Sequence, residues 1–409
     1  MSDRRSFLRD VSYSVMGLPL VSHLASMEPI DWSDWAKIKE QYPSNNKGLR
    51  NYNCGSAGIQ PKVVLEAFKS YQKALSAYAP YEVYEKHKVQ VNHCRQRLAD
   101  LVNAESEEIA LVRNTTEAIN AVLYGIVWQK DDEILISEVD YPLVWNTVNA
   151  LKSRYGIIIK TVKANVAKDS DAQIIQNYKK NLTPKSKLIL ATQVTHREGH
   201  IMPVGALSAL GRQHGVEVLI DGAHAFGQLE VDVRSIGCQY YATSLHKWLS
   251  APLGTGMLYV QKDRIASLLP PTSYDSNQID SIDKFMMIGT FAFEKWMTLE
   301  TVLDFQDRIG LETKRDRLNM MSTRFRMQLA EIPDVTLASN QSDCGGITAF
   351  RIESTNNAHL FKNLQKDYGC HIKKVGMYKT KILFLRTSFN LHLDESDVDY
   401  LVDSIKACI

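Results

Sequence analysis

Between about residue 100 and residue 262, short apolar runs alternate with stretches of helical periodicity. The runs are Ile109–Val112, Glu133–Ile136, Gly156–Ile159, Leu188–Ala191, Val216–Ile220 and Met257–Val260. Several are apolar at every position, as strands covered on both faces must be. Glu117–Val127, Pro142–Arg154 and Val204–His214 read as the intervening helices. Strand, helix, strand in series predicts an α/β fold with a mostly parallel central sheet flanked by helices. Such sheets hold ligands beyond the carboxyl ends of their strands, so the polar residues that end these runs are the candidates for chemistry.

The pattern changes near residue 303. A long helical pattern, Phe305–Ile332, leads into the strand Gly346–Arg351, a helix over 357–368, the strand Ile382–Leu385 and a closing helix over 393–407. This predicts a smaller α+β C-terminal domain. The expected organisation is a leader over 1–28, an N-terminal segment over 29–60, a large domain over 61–302 and a small one over 303–409. The loop Leu269–Asp280, with Pro270-Pro271, is a candidate mobile or interface loop. In the leader, Arg4-Arg5-Ser6-Phe7-Leu8-Arg9 precedes a modest apolar stretch, Val15–Leu24, in the manner of a twin-arginine export signal. No clear A-x-A site follows, and an amphipathic helix accounts for the same residues, so periplasm and cytoplasm both stay open.

The remaining composition narrows the function classes. With 409 residues the chain is long enough for two to three domains and for a core that needs no metal or disulfide. Lysine plus arginine number 48 against 46 acids, a charge of +2, which gives no electrostatic reason to expect a nucleic-acid partner. No apolar run reaches the length of a membrane span. The six cysteines contain no CxxC pair, which argues against a zinc ribbon or a thioredoxin-type motif; their even number leaves disulfides open. No metal site is expected.

Taken in order, the strand ends offer a set of parts. Arg113-Asn114-Thr115-Thr116-Glu117-Ala118 places two hydroxyls at a helix start, which reads as an N-cap or as a phosphate cradle. Tyr141, after the second strand, is either packing or a ring able to stack on a planar ligand. The fourth strand leads to Thr195-His196. Asp221 follows three apolar strand residues and precedes Gly222-Ala223-His224; an acid there is costly to desolvate without a positive partner. It is a strand-end cap or a fixed charge for a ligand. Lys247, 26 residues later, stands between His246 and Trp248 in a largely apolar stretch. It is a lysine snorkelling from a strand edge or a buried amine nucleophilic toward aldehydes. Together, a phosphate cradle, a ring, an acid and a nucleophilic lysine in one crevice are the parts needed to hold pyridoxal 5′-phosphate (PLP).

These segments, with Ser244-Leu245-His246-Lys247-Trp248-Leu249-Ser250-Ala251-Pro252-Leu253-Gly254-Thr255-Gly256, resemble fold-type I PLP enzymes of the class V aminotransferase group. The resemblance spans about residues 50–405 and is greatest to the isopenicillin N epimerase-like branch, where a Trp follows the lysine. It implies that Lys247 is the Schiff-base lysine, that Asp221 pairs with the pyridinium N–H, and that His224 lies near the ring oxygen. Tyr141 takes the stacking position. Thr195 and His196 also border the ring. Thr115, Thr116, Ser244 and His246 hold the phosphate, and Gly289-Thr290 reaches the phosphate of a neighbouring subunit, which implies a homodimer. Arg386 clamps a substrate carboxylate, and Asn53 and Ser56 line the substrate side.

Two departures from the desulfurases of the same group bear on the reaction. Their catalytic cysteine is missing from Gly376-Met377-Tyr378-Lys379-Thr380, and Cys370 falls in a preceding strand-like stretch, unsuited to carrying a persulfide. His196 replaces their Asn. The expected activity is therefore epimerase-like or aminotransferase-like chemistry at Cα of an amino acid or aminoacyl compound, with Tyr141, His196 and His246 as candidate proton donors. A carbon–sulfur lyase working by β-elimination is the alternative, followed by a cysteine desulfurase and by a protein that binds the cofactor without turnover.

Overall fold

The computed structural model describes residues 30–43, 48–272, 274–341, 343, 345–376 and 382–409. The arginine pair and apolar stretch of 1–28 lie outside them, as do Met377–Thr380. Seven strands form the main sheet: β1 (Ile109–Val112), β2 (Glu133–Ser137), β3 (Ile158–Val162), β4 (Ser186–Thr192), β5 (Glu217–Asp221), β6 (Tyr240–Ser244) and β7 (Gly256–Val260). Their spatial order is β1-β7-β6-β5-β4-β2-β3. All neighbours run parallel except β7, which is antiparallel to both β1 and β6. The apolar runs are buried because helices such as Thr115–Gly125, Pro142–Tyr155 and Val204–Gln213 pack on the sheet.

A second, antiparallel sheet follows in the order β10-β11-β9-β8, from β8 (Val335–Leu337), β9 (Ile347–Ile352), β10 (Lys373–Gly376) and β11 (Leu383–Ser388). Arg50–Asn51 pairs in parallel with Cys370–His371, and Asn53 bridges to Ser388. The segment before the large sheet is thereby stitched to the small one.

Three elements differ from the sequence reading. Tyr240–Ser244 is a fully buried strand at the centre of the large sheet, although its Thr and Ser break the apolar pattern. Ile158–Val162 starts two residues later than expected, because Gly156 closes the preceding helix in the left-handed region at φ +70°. The expected single helix Phe305–Ile332 is two, Leu299–Ile309 and Leu311–Leu329. Gly310, at φ +81° and ψ 133°, breaks them apart.

Candidate active site

Four strand ends meet at one edge of the large sheet. Thr192 of β4 lies opposite Asp221 of β5, and Asp221 lies opposite Ala242 of β6. Asp140, just beyond β2, binds them from below: its carboxylate accepts from the amides of Ser137 and Thr192, each at 2.7 Å. Burial pushes its carboxyl up to about 8, against those two hydrogen bonds and with added repulsion from Asp221.

A cavity of about 260 Å³ opens above this edge. Lys247 enters it from the loop that joins β6 to β7. Its amine stands 3.4 Å from His224 Nε2 and has no carboxylate within ion-pair distance among the described residues. Burial draws it down to about 8; Asp221 opposes that shift, and the Arg386 and Lys373 charges reinforce it. The amine therefore gives up its proton more readily than an ordinary lysine. Among the described residues the Asp221 carboxylate accepts only the Ala223 amide, at 3.0 Å, and burial raises it above the usual carboxylate range. His224 and His196 are both held well below the ordinary imidazole value, first by burial. The Nδ1 atom of each is buried and has no hydrogen-bond partner among the described residues. His196 meets Tyr141 edge-on, with centroids 5.0 Å apart.

The helix start behaves differently from a plain cap. Asn114 supplies the cap, its side chain accepting from the Glu117 amide at 2.9 Å, and Glu117 pairs with Arg113. The two threonine hydroxyls are not consumed by capping. Thr115 Oγ1 lies 2.7 Å from Ser244 Oγ, and Thr115 and Thr116 both face the cavity. His246 lines the same wall, with Nδ1 3.1 Å from the Thr255 carbonyl.

The opposite wall comes from the small sheet. Arg386 of β11 is 1 % exposed. It donates to the His196 carbonyl at 2.5 Å and to Asn53 Oδ1 at 2.9 Å. Its Nε has no hydrogen-bond partner among the described residues. Gly55 is squeezed between Arg386, Ser388 and His224, each about a contact distance from where a Cβ would stand (3.2–3.3 Å).

The loop bearing Lys247 is pinned from behind. The Gly58 amide donates to the His246 carbonyl at 2.8 Å, and a methyl at Gly58 would overlap the Lys247 carbonyl oxygen. Lys314 donates to the Trp248 carbonyl and, at 2.9 Å, to Gln306 Oε1; Gln306 in turn donates to the Leu249 carbonyl at 3.0 Å. Burial draws Lys314 down to about 7. Ser250 then takes a left-handed conformation, φ +60°, to turn the chain toward β7.

The family model described as Aminotransferase class-V matches residues 51–401. The chain belongs to the class V aminotransferase family. Its cofactor class is PLP. The chain is 27% identical over 377 residues to the isopenicillin N epimerase of Streptomyces clavuligerus, covering 87% of this chain and 94% of the relative. It is 26% identical over 336 residues to the L-cysteine desulfhydrase of Arabidopsis thaliana, covering 78% and 74%. Among solved structures, a C-DES variant with glycine covalently linked to the PLP cofactor superposes with a TM-score of 0.80 at 23% identity, covering 90% of this chain and 98% of that one. An apo cysteine desulfurase from Thermococcus onnurineus NA1 superposes with a TM-score of 0.81 at 19% identity, covering 93% and 98%. The α/β architecture of the fold-type I PLP enzymes is the fold of this chain.

Within this class V fold, the cavity gathers Ser56, Thr115, Thr116, Tyr141, His196, Asp221, His224, Ser244, His246, Lys247 and Arg386. Asn53 stands one hydrogen bond behind Arg386. Thr195 does not line the cavity; its hydroxyl accepts from the His200 amide at 3.0 Å and it is wholly buried. Gly289 lies in a separate groove with His87, Phe291, Phe293 and Trp296, and Thr290 does not reach this cavity. The sequence reading missed Lys373, which lines the cavity, and Asp140, which ties the ends of β2 and β4. Asp140 carried a weak signal as the acid next to Tyr141. Lys373 carried none until β10 is known to pair with β11. Among the described residues no cysteine lines the cavity. Cys54 and Cys370 are fully buried, with thiols pushed up to about 12 and about 11, and the five described cysteines are free.

Proposed function

We propose that the chain is a PLP-dependent enzyme acting at Cα of an amino-acid or aminoacyl substrate, with epimerisation or transamination as the outcome. The observation that carries this reading is the convergence of Lys247, Asp221 and Arg386 on one cavity. The residues suit the cofactor. A buried amine without an anionic partner is available for its aldehyde, and a buried carboxylate with a single backbone donor is available for its ring nitrogen. The hydroxyls of Thr115, Thr116 and Ser244, with His246, line the cavity and would hold its phosphate, Thr115 and Ser244 being already joined to each other at 2.7 Å. When bound, PLP supplies an electron sink for charge that develops at Cα.

The protein's own part follows from the geometry. Arg386 holds the substrate carboxylate and is itself held by His196 and Asn53, which fixes where Cα lies. Lys247, drawn toward neutrality by burial, takes the Cα proton as general base. Asp221 would pair with the ring nitrogen of the cofactor, whose positive charge would offset the burial that raises the carboxyl. Tyr141, which lines the cavity in edge contact with His196, is the candidate second proton donor that epimerisation requires. Gly289 and Thr290, lying away from their own cavity, fit a contribution to a second subunit's site, which makes the working form a homodimer.

A carbon–sulfur lyase is the second reading. Beta-elimination needs Lys247 as base but no second proton donor and no protein thiol, and no described cysteine lines the cavity. Incubating the holoenzyme with D- and L-amino acids in deuterated water decides among these. Deuterium at Cα with inverted configuration supports epimerisation, keto acid supports transamination, and pyruvate with sulfide supports elimination. Absence of all three with every amino acid tested refutes the reading.

A further inference from the structure

The substrate wall of the cavity carries one more positive charge than a simple amino acid can answer. Lys373 and Arg386 are directly opposite on antiparallel β10 and β11, so their side chains leave the same face of the sheet. The alternation of the strand separates the two consecutive lysines. Lys374 lies over the Phe361 ring at 5.1 Å, whereas Lys373 turns into the cavity. There, Lys373 Nζ lies 3.3 Å from Ser56 Oγ, and Arg386 Nη2 lies 3.5 Å from the same oxygen. Two cations thus meet at one hydroxyl. Neither has a carboxylate within ion-pair distance among the described residues. Glu198, the carboxylate whose charge is felt at Arg386, is buried and pushed up by that burial, and one of its oxygens has no hydrogen-bond partner among the described residues, so it is a poor counter-charge.

Such an arrangement is unfavourable unless a ligand answers it. Like charges at close range destabilise one another, and here the Arg386 charge adds to burial in drawing Lys373 down to about 8. The hydroxyls that would hold the cofactor's phosphate belong to the large domain, Thr115 and Thr116 at a helix start and Ser244 at the end of β6, whereas Lys373 stands on the small sheet. One substrate carboxylate satisfies Arg386. The second cation then calls for a second anion on the same substrate.

We propose that Lys373 recognises a carboxylate on the side chain of the substrate, so that the substrate is a dicarboxylic amino acid or an aminoacyl acid carrying two carboxylates. This rests on the reading of the cavity as a PLP amino-acid site and names the substrate class of that site. Arg386 takes the α-carboxylate, Lys373 takes the distal one, and the Ser56 hydroxyl, shared between them, sets the spacing.

The test titrates the holoenzyme with glutamate against glutamine and aspartate against asparagine, in both enantiomers, reading the visible band of the bound cofactor. Acid and amide match in shape and differ in the distal charge. The expected result is that one acid binds about tenfold or more tightly than its amide, the size of one charge-assisted contact. In Lys373→Gln that ratio should fall below about threefold. In Arg386→Gln the acid and the amide should weaken together and the ratio should persist. Equal binding of acid and amide by the unmodified protein overturns the proposal, as does a ratio that survives in Lys373→Gln; in both cases the enzyme reading stands. A cofactor band that no amino acid perturbs, alanine included, removes the enzyme reading and this inference with it.

Discussion

Replacing Gly58 with alanine probes how tightly the Lys247 loop is positioned, using a residue that contributes no chemistry. A methyl there overlaps the Lys247 carbonyl oxygen and lies 3.1 Å from the His246 carbonyl oxygen. Restoring an ordinary carbon–oxygen contact of about 3.3 Å requires the Lys247 backbone to retreat by about 1 Å. The loop has little room to yield. The Gly58 amide is bonded to His246, and Lys314 and Gln306 grip Trp248 and Leu249 from the other side. Overpacking of this kind costs about 1–3 kcal/mol in stability. Displacement of a reacting group by about 1 Å costs on the order of 100-fold in rate. Gly58→Ala is therefore expected to fold, to lose about two orders of magnitude in kcat/KM, and to slow borohydride trapping of the bound cofactor. Gly205→Ala is the control. It lies in the helix Val204–Gln213 with nothing within 4 Å of the added carbon, and should gain about 0.5–1 kcal/mol with the rate unchanged. A Gly58→Ala protein with the parent's rate and trapping kinetics would refute the claim that this contact positions Lys247.

Other expectations follow from the same geometry. Lys247→Ala should lose the borohydride-reducible chromophore altogether; a persisting reducible band would mean that another amine holds the cofactor. Arg386→Ala should raise KM for amino-acid substrates by roughly 10–100-fold, the size of a lost charge-assisted contact, and kcat should fall less; an unchanged KM would place the carboxylate elsewhere. Lys314 makes a signed pH prediction. It titrates near 7 when folded and near 10.5 when unfolded, so between those values the unfolded chain holds a proton that the folded one lacks. Stability should rise with pH across that window by up to about 1.4 kcal/mol per unit from this group alone. Urea unfolding from pH 7.5 to 9.5 should show that slope reduced in Lys314→Met, and an identical slope in both proteins would mean that Lys314 stays charged inside.

The sequence disclosed most readily what burial on both faces imposes. Ile109–Val112 and Leu188–Ala191 are apolar at every position because helices cover them, and the polar residue that ends such a run stands at the ligand edge. Asp221 and the Thr115-Thr116 pair were legible for that reason. Tyr240–Ser244 was not, because its tyrosines and hydroxyls fill a central strand whose side chains are satisfied by neighbours: Tyr241 donates to Gln193 Oε1 at 2.7 Å, and Tyr240 to Glu217 at 2.8 Å. The helix break at Gly310 falls inside the long helical pattern Phe305–Ile332, which continues on both sides of it. Lys373 was hidden for a different reason. Its meaning depends on which residue it faces across a strand pair, 13 positions apart in sequence, and no local pattern records that.

The two halves of the cavity belong to different sheets. Lys247 and Asp221 are carried by adjacent elements of the seven-stranded sheet, and the loop bearing Lys247 is closed at its base by the pairing of Ser244 with Gly256. Arg386 and Lys373 are carried by the four-stranded sheet. On the proposed reading, changes in the small sheet would retune which molecule is gripped while the lysine and its carboxylate keep their mutual spacing. Selectivity and reactivity would then be mechanically separable, with new substrates reachable through β10 and β11 and the floor carrying Lys247 and Asp221 left as it is.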